Sequence, residues 1–376
     1  MKKTVNLMKN IESSRGALPA QHLSVLAENR FIIGLKKDNI KPASIDLSIS
    51  GEIYEVKNSF QVPENKTVWE TINEVGYIKH SIDKPIRVNR TYVAKLNESL
   101  DLPQNVYGYA NPKSTSGRLD LHVRLLADCI SPYDSIYRKG WKGDLWVLIK
   151  PKSFNIKLYP NISLNQLRLC YSDTRIGGFE LESLMQSPGV LFDPNTNNRI
   201  GLKEMQAKDN QRSVILTIDA ISTDIPLGYV ANNDKDLVID IKSTYKTEDF
   251  FKTVESKNNM IILQVGKFYI LSSYEHVVVP VGYASEMASI DDRFGEFRSH
   301  YAGFIDPGWG VGEDGKGFGR PLTLEVRAFE SMVVRHRQPI ARLKYEHLAE
   351  IPNIHYDSIP SNYTRQIKAK LAKQFI

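Results

Sequence analysis

The stretches YVAKLNESLDLPQNVYGYANPKS (Tyr92–Ser114) and YILSSYEHVVVPVGYASEM (Tyr269–Met287) read as two copies of one pattern. Each runs from a tyrosine through a β-prone segment to a glutamate (Glu98, Glu275), a proline (Pro103, Pro280) and the tripeptide Gly-Tyr-Ala. Tyr109 and Tyr283 stand 174 positions apart. Further on, GDLWVLI parallels RPLTLEV with Leu148 opposite Glu325, 177 positions apart, and LNQLRLCY parallels PIARLKYE. Parallels at a nearly constant offset mark an internal repeat, so one β fold is expected twice. The halves are expected at 1–176 and 177–376, joined through MQSPGVLFDPNTNNRIG (Met185–Gly201). Its Asn, Asp, Pro and Gly residues predict a linker or long loop.

Around the repeat the chain reads as short strands. SIDLSIS, TYVAKL, DLWVLI, FNIKLY, LRLCY, SVILTIDAI, DLVIDI, MIILQVGKFYIL, HVVVPVGYA and LTLEVRAF are rich in β-branched and aromatic residues, with PQN, YPN, NND and DPG between them. Helical candidates are few: PAQHLSVLAEN, FELESLMQ, KTEDFFKTVE and the C-terminal RQIKAKLAKQF. The pattern predicts mainly-β barrels or sandwiches with short helical decorations.

With 376 residues, 41% of them hydrophobic and 24% charged, the chain has ample material for a core. A net charge of +6 and a pI of 9.0 suit an anionic ligand, and suit an ordinary basic surface equally well. No apolar run follows the basic N-terminus, and none reaches the roughly 18 residues of a membrane span. A cytoplasmic chain with no membrane or nucleic-acid partner is therefore expected. The two cysteines, Cys129 and Cys170, lie far apart in apolar contexts and read as reduced and buried. With no C-x-x-C and no H-E-x-x-H, any activation of water is expected to proceed without zinc held by the protein.

Four segments carry possible chemistry. Lys113-Ser-Thr-Ser-Gly-Arg118 offers small hydroxyls, a glycine and two cations, a composition that holds an anion, although a solvated polar turn would look the same. The second copy has SEMASIDD there, acidic where the first is basic. Glu325 lies between Leu324 and Val326 in a strand that reads as core, where a carboxylate is costly and its pKa should rise, as befits a general acid/base. Alternation also allows a solvated strand glutamate, and Leu148 at the matching place cannot transfer protons. Asp306-Pro-Gly-Trp309 reads as a tight turn that sets Asp306 beside Trp309, and a packing tryptophan in a hairpin is the plain alternative. Ser131 stands in the aspartate's place in the first copy. The tail SNYTRQIKAKLAKQF joins Tyr363 and Gln366 to Lys368, Lys370 and Lys373, as a solvated helix or a segment folding over a polyphosphate.

KPASIDLSIS, NPKSTSGRLD, YAGFIDPGWG, LTLEVRAF, RQPIARLKYE and SNYTRQ occur in the order found in the tandem-domain bacterial dCTP deaminases, and the chain resembles that family from about Leu18 onward. The resemblance implies two tandem dUTPase-like β-barrel (β-clip) domains with a few short helices. It also implies zinc-free hydrolysis of dCTP to dUTP and ammonia. By motif position, Ser114 and Arg118 orient the water. Lys113, Thr115 and Ser116 belong to the loop that binds the triphosphate, and Mg²⁺ accompanies the triphosphate through its oxygens. Glu325 is the general base, Asp306 lies near the deoxyribose with Trp309 beside it, and Tyr363 and Gln366 close over the nucleotide. The expected partners are dCTP and dUTP, dTTP as a candidate inhibitor, and further copies of the chain as a trimer or dimer of tandem chains.

The departures from the pattern are Leu148, SEMASIDD, and Arg365 where the family has a smaller residue. Neither copy holds a full set, so a hybrid site is expected, with the loop from one copy and the glutamate from the other. The alternatives are a dUTP pyrophosphatase, a bifunctional deaminase/pyrophosphatase, and a non-catalytic nucleotide sensor.

Overall fold

Ile45, Leu47, Ile49 and Ile53 are buried along Ser44–Val56 (β1), the longest strand, with the small or polar Ser44, Asp46 and Ser48 buried in alternation with the first of them, and the turn-forming residues around it set where the chain reverses. In the computed structural model, residues 15–205, 213–232, 236–299, 303–312, 315–359, 363 and 366–376 are described. They form two compact units. The first comprises the chain to Thr174 together with Asp236–Ser243 and Leu348–Asn353. The second comprises Arg175–Lys235, Thr244–His347 and Ile354–Ile376.

The first unit opens with the helix Ala20–Glu28 (α1) and is built on a nearly closed, barrel-like sheet. After β1 come the helix Val68–Val75 (α2), Thr91–Asp101 (β2), Val106–Pro112 (β3), the short helix Ser114–Arg118 (α3), Leu121–Ala127 (β4), Ser135–Ile136 (β5), Lys142–Pro151 (β6) and Ser163–Tyr171 (β7). The strand order is β4-β6-β2-β1-β7-β3-β5. Val238–Asp240 runs parallel to Asn155–Lys157, and Leu348 bridges to Ala17, which is why these two late segments belong to the first unit.

In the second unit, the helix Gly178–Gln186 (α4) precedes Val214–Thr217 (β8), Phe268–Ser272 (β9), Tyr283–Ser289 (β10), Phe297–Ser299 (β11), Phe304–Ile305 (β12), Thr323–Ala328 (β13) and Pro339–His347 (β14). One sheet runs β8-β14-β10-β12. Another runs Phe251–Thr253, Tyr229–Ala231, β9, β13, β11.

Strand registers repeat between the units. Val93 on β2 faces Leu148 on β6, and Ile270 on β9 faces Glu325 on β13, each residue 177 positions from its counterpart. Glu98 accepts from the Ser48 amide at 2.8 Å and its hydroxyl at 2.8 Å. Glu275 accepts from the Thr217 amide at 2.8 Å and its hydroxyl at 2.6 Å. Both carboxyls are buried, and burial pushes both above their ordinary range against the pull of these donors.

The Gly-Tyr-Ala match at an offset of 174 is out of register. Three residues before Ser48 and Thr217, Ile45 faces Leu167 and Val214 faces Leu343. Leu167 faces Ala110 and Leu343 faces Met287, so Ala110 and Met287, 177 apart, are the equivalent residues. Tyr283 therefore corresponds to Val106. Pairing decides equivalence here, because a three-residue slip would send every side chain to the opposite face.

Several expected elements differ. Met185–Gly201 is no free linker: Val190 and Leu191 are buried in the second unit's core, and the Val278 amide donates to the Val190 carbonyl at 3.0 Å. KTEDFFKTVE forms one helical turn, Thr247–Phe250, and then a strand, Phe251–Thr253, with both phenylalanines buried. RQIKAKLAKQF has no helix among its described residues, 366–375, and is held by contacts with the body of the unit. Helix α2 was not foreseen, although Thr67-Val-Trp-Glu70 forms a full capping box.

Candidate active site

The loop Lys113–Arg118 follows β3, whose last residue, Pro112, cannot continue the ladder as a donor. Lys113 is extended and caps α3, and its amide donates to the Leu164 carbonyl at 3.0 Å. The Ser116 hydroxyl donates to the same carbonyl at 2.9 Å, so Ser116 faces inward and pins the loop to β7. Ser114 and Thr115 remain half-buried, and Arg118 is buried at the helix end. The Lys113 ammonium pairs with Asp46 of β1, a carboxylate that also has Lys41 at 3.6 Å. Asp46 was not singled out in the sequence. The reasoning applied to Glu325, a carboxylate inside an apolar strand, would have found it.

The same place in the second unit, 177 positions on, is Ile290–Gly295. Its one turn, Asp292–Phe294, is capped by Asp291, which accepts from Arg293 Nε at 2.8 Å and Nη2 at 2.9 Å. Those bonds hold the Asp291 carboxyl far below the usual carboxylate range. The only cation of this turn is thus engaged by an acid of the same turn.

Glu325 lies on β13 and is 3% exposed, so the solvated-strand alternative does not describe it. Its counterpart Leu148 is packed with Tyr54, Val56, Val68, Ile72, Val93, Leu126 and Trp146, in a cluster to which α2 contributes two residues. Helix α2 thereby covers the place in the first unit that corresponds to Glu325.

Asp306 and Trp309 form the turn after β12. Gly308, at φ +88°, needs its hydrogen side chain, since a Cβ would stand 2.7 Å from His355 Nδ1. Trp309 is buried against Tyr356, with ring centroids 4.9 Å apart, and the Arg320 guanidinium lies 4.7 Å from its centroid. Asp306 is half-buried. Pairing also corrects its first-unit counterpart. Gly108 faces Ile136 as Ser285 faces Ile305, so the residue in the aspartate's place is Tyr137 and not Ser131.

The tail meets the start of the Glu325 strand. Gln366 is buried and donates from Nε2 to the Pro321 carbonyl at 2.9 Å, and the Lys370 amide donates to Thr323 Oγ1 at 3.2 Å. Tyr363 is buried, with the Lys370 ammonium 6.0 Å from its ring centroid. The turn and the tail therefore both pack on Arg320–Thr323, the segment that leads into Glu325. Arg365 lies outside the described residues. Among the described residues, no group of three His, Cys, Asp or Glu side chains is placed to hold a metal ion, and no helix is long and apolar enough to cross a membrane.

Residues 14–173 match the 2'-deoxycytidine 5'-triphosphate deaminase N-terminal domain, and residues 194–375 match the C-terminal domain of the same family. A crystal structure of 2'-deoxycytidine 5'-triphosphate deaminase from Agrobacterium tumefaciens is similar to this chain, with a TM-score of 0.79 and 29% identity. The match covers 90% of this chain and 100% of that one. No curated protein sequence matches. The two domain matches come in family order and span nearly all of the described chain, so the chain belongs to the 2'-deoxycytidine 5'-triphosphate deaminases of tandem-domain organisation.

Proposed function

We propose that the chain hydrolyses dCTP to dUTP and ammonia, with its chemistry divided between the repeats. The observation that carries this reading is complementary loss. The first unit keeps a donor-rich loop where the second has Asp291 and Asp292, and the second keeps a buried Glu325 where the first has Leu148.

In this reading, the Ser114 hydroxyl and Arg118 hold a water against C4 of the cytosine. Glu325 accepts a proton from the water as its oxygen attacks C4. Glu325 then delivers that proton to the exocyclic amine, the C–N bond breaks to release ammonia, and the remaining hydroxyl proton passes to N3, which leaves the C4 carbonyl and N3–H of dUTP. Proton transfer of this kind contributes about 10²–10⁴-fold, and positioning supplies much of the rest. Lys113, steadied by Asp46, and Thr115 hold phosphate oxygens. Ser116 shapes the loop from within, and its place among the substrate-binding residues is structural. Asp306 accepts from the deoxyribose, Trp309 backs that turn, and Tyr363 and Gln366 cover the nucleotide.

Mg²⁺ would neutralise triphosphate oxygens and arrive with the nucleotide. The loop residues are donors, which fits a metal carried by the substrate and not by protein ligands. dTTP differs from the product by one methyl group and is the candidate inhibitor. A cytoplasmic homo-oligomer belongs to the same reading.

Glu325→Gln tests it. Ammonia release from dCTP should fall by at least about 10²-fold while dCTP binding persists. Turnover at the wild-type rate overturns the assignment. Separate incubations with dCTP and dUTP identify any pyrophosphatase activity: pyrophosphate from dUTP would make the enzyme bifunctional.

A further inference from the structure

The tail is secured at both ends of a short span. Upstream are the Gln366 and Lys370 bonds to Pro321 and Thr323, and the Lys368 ammonium lies 3.1 Å from Asp219. Downstream, Phe375 lies among three rings, with centroids 5.0 Å from Phe251, 5.5 Å from Phe250 and 6.4 Å from Tyr245. Backbone bonds fix the same place. The Tyr245 amide donates to the Gln374 carbonyl at 2.8 Å, the Ile376 amide to Tyr245 at 3.1 Å and the Thr247 amide to Ile376 at 3.2 Å. Between these ends lies a cavity of about 350 Å³, whose lining includes Tyr229, Thr247, Tyr363, Lys370, Lys373 and Phe375.

The upstream polar contacts include neutral hydrogen bonds and the Lys368 ammonium's contacts with Asp219 and the Ile221 carbonyl, each of which adds little net stability. An aromatic ring seated among buried aromatic rings is the larger contribution, and Phe250 and Phe251 are both buried. Ala369, Leu371 and Ala372 are buried along the middle of the span, and the half-buried Phe375, its only aromatic side chain after Tyr363, adds a ring-to-ring contact at the end.

We propose that Phe375 anchors the tail. Seated against Tyr245, Phe250 and Phe251, it keeps residues 366–374 along the segment that leads into Glu325, and so sets how tightly the nucleotide is held. The inference rests on the deaminase reading, in which Tyr363 and Gln366 cover the substrate. Phe375 is a positioning residue that acts through them.

Steady-state kinetics of full-length Phe375→Ala test the anchor. KM for dCTP should rise about tenfold, the scale of one lost ring-packing contact, with kcat within about twofold. Trypsin should cleave faster after Lys370 and Lys373 while the global melting temperature stays within a few degrees. Phe375→Tyr should restore KM, and Tyr245→Ala should raise it without adding to the effect of Phe375→Ala. A KM for Phe375→Ala within about twofold of wild type overturns the anchor, as does a raised KM that Phe375→Tyr fails to restore. An inactive Glu325→Gln beside an unaffected Phe375→Ala removes the anchor alone. An active Glu325→Gln removes Glu325 as the base, and wild-type protein that releases no ammonia from dCTP removes the deaminase reading on which the anchor rests.

Discussion

Leu148→Glu would place in the first unit the residue that the second carries at the same register, and its cost should depend strongly on pH. Leu148 is 4% exposed among Tyr54, Val68, Ile72, Val93 and Trp146, none of which offers a carboxylate a charged partner. Losing the buried leucine side chain costs about 1.5–3 kcal/mol at any pH. Burial of this degree raises a glutamate by about 3 pH units, and at 1.36 kcal/mol per unit that adds about 4 kcal/mol once the solution is alkaline enough. Below about pH 4.3 both folded and unfolded chains hold the proton, and this second cost vanishes. As the pH rises from there to the raised folded value, the unfolded chain has released its proton and the native state has not, so stability falls continuously and then levels off. Urea unfolding at pH 5 and pH 8, followed by tryptophan fluorescence, reads the difference directly, because Trp146 belongs to the same cluster. Leu148→Met, nearly equal in volume, should cost less than about 1.5 kcal/mol at both values. An equal loss for Leu148→Glu at pH 5 and pH 8 would show that water reaches this place, and the argument that α2 seals it would fail.

Thr67→Ala removes the cap of α2, in which Thr67 Oγ1 accepts from the Glu70 amide at 3.1 Å and the Glu70 carboxylate accepts from the Thr67 amide at 2.7 Å. The expected loss is about 1 kcal/mol, with faster amide exchange across Val68–Val75, and unchanged exchange would contradict it. Glu98→Gln and Glu275→Gln remove carboxyls whose folded values are raised by burial. Raised folded values make the native state hold protons that the unfolded chain releases, so wild-type stability should decline from about pH 4.5 upward. Each variant should show a shallower decline in urea titrations, and identical slopes would refute the shift.

What could be read from the sequence was local or repeated. Strands showed themselves because β-branched and aromatic residues cluster where a pleated surface is half-buried, as in SIDLSIS and LTLEVRAF. The repeat showed itself through Glu98 and Glu275, whose matching hydrogen bonds now explain why both copies keep them. The donor-rich composition of Lys113–Arg118 was equally visible, and so was the contrast between Leu148 and Glu325.

What the sequence left open was decided by pairing and packing between distant residues. Whether Glu325 faced solvent or core depended on the strands beside it. The orientation of Ser116 depended on the Leu164 carbonyl, 48 residues away. The 177-residue register between the first strands, and the placing of Tyr137 where the second unit has Asp306, came from partner strands, because the face a strand residue occupies is set by its neighbour's register. The tail had the composition of a helix, yet contacts with Pro321, Thr323 and the rings around Phe375 hold it in bends and a turn, since contacts with the body outweigh a small intrinsic helix preference. Asp236–Ser243 and Leu348–Asn353 belong to the first unit for the same reason: strand pairing follows the available partner, not the order of the chain.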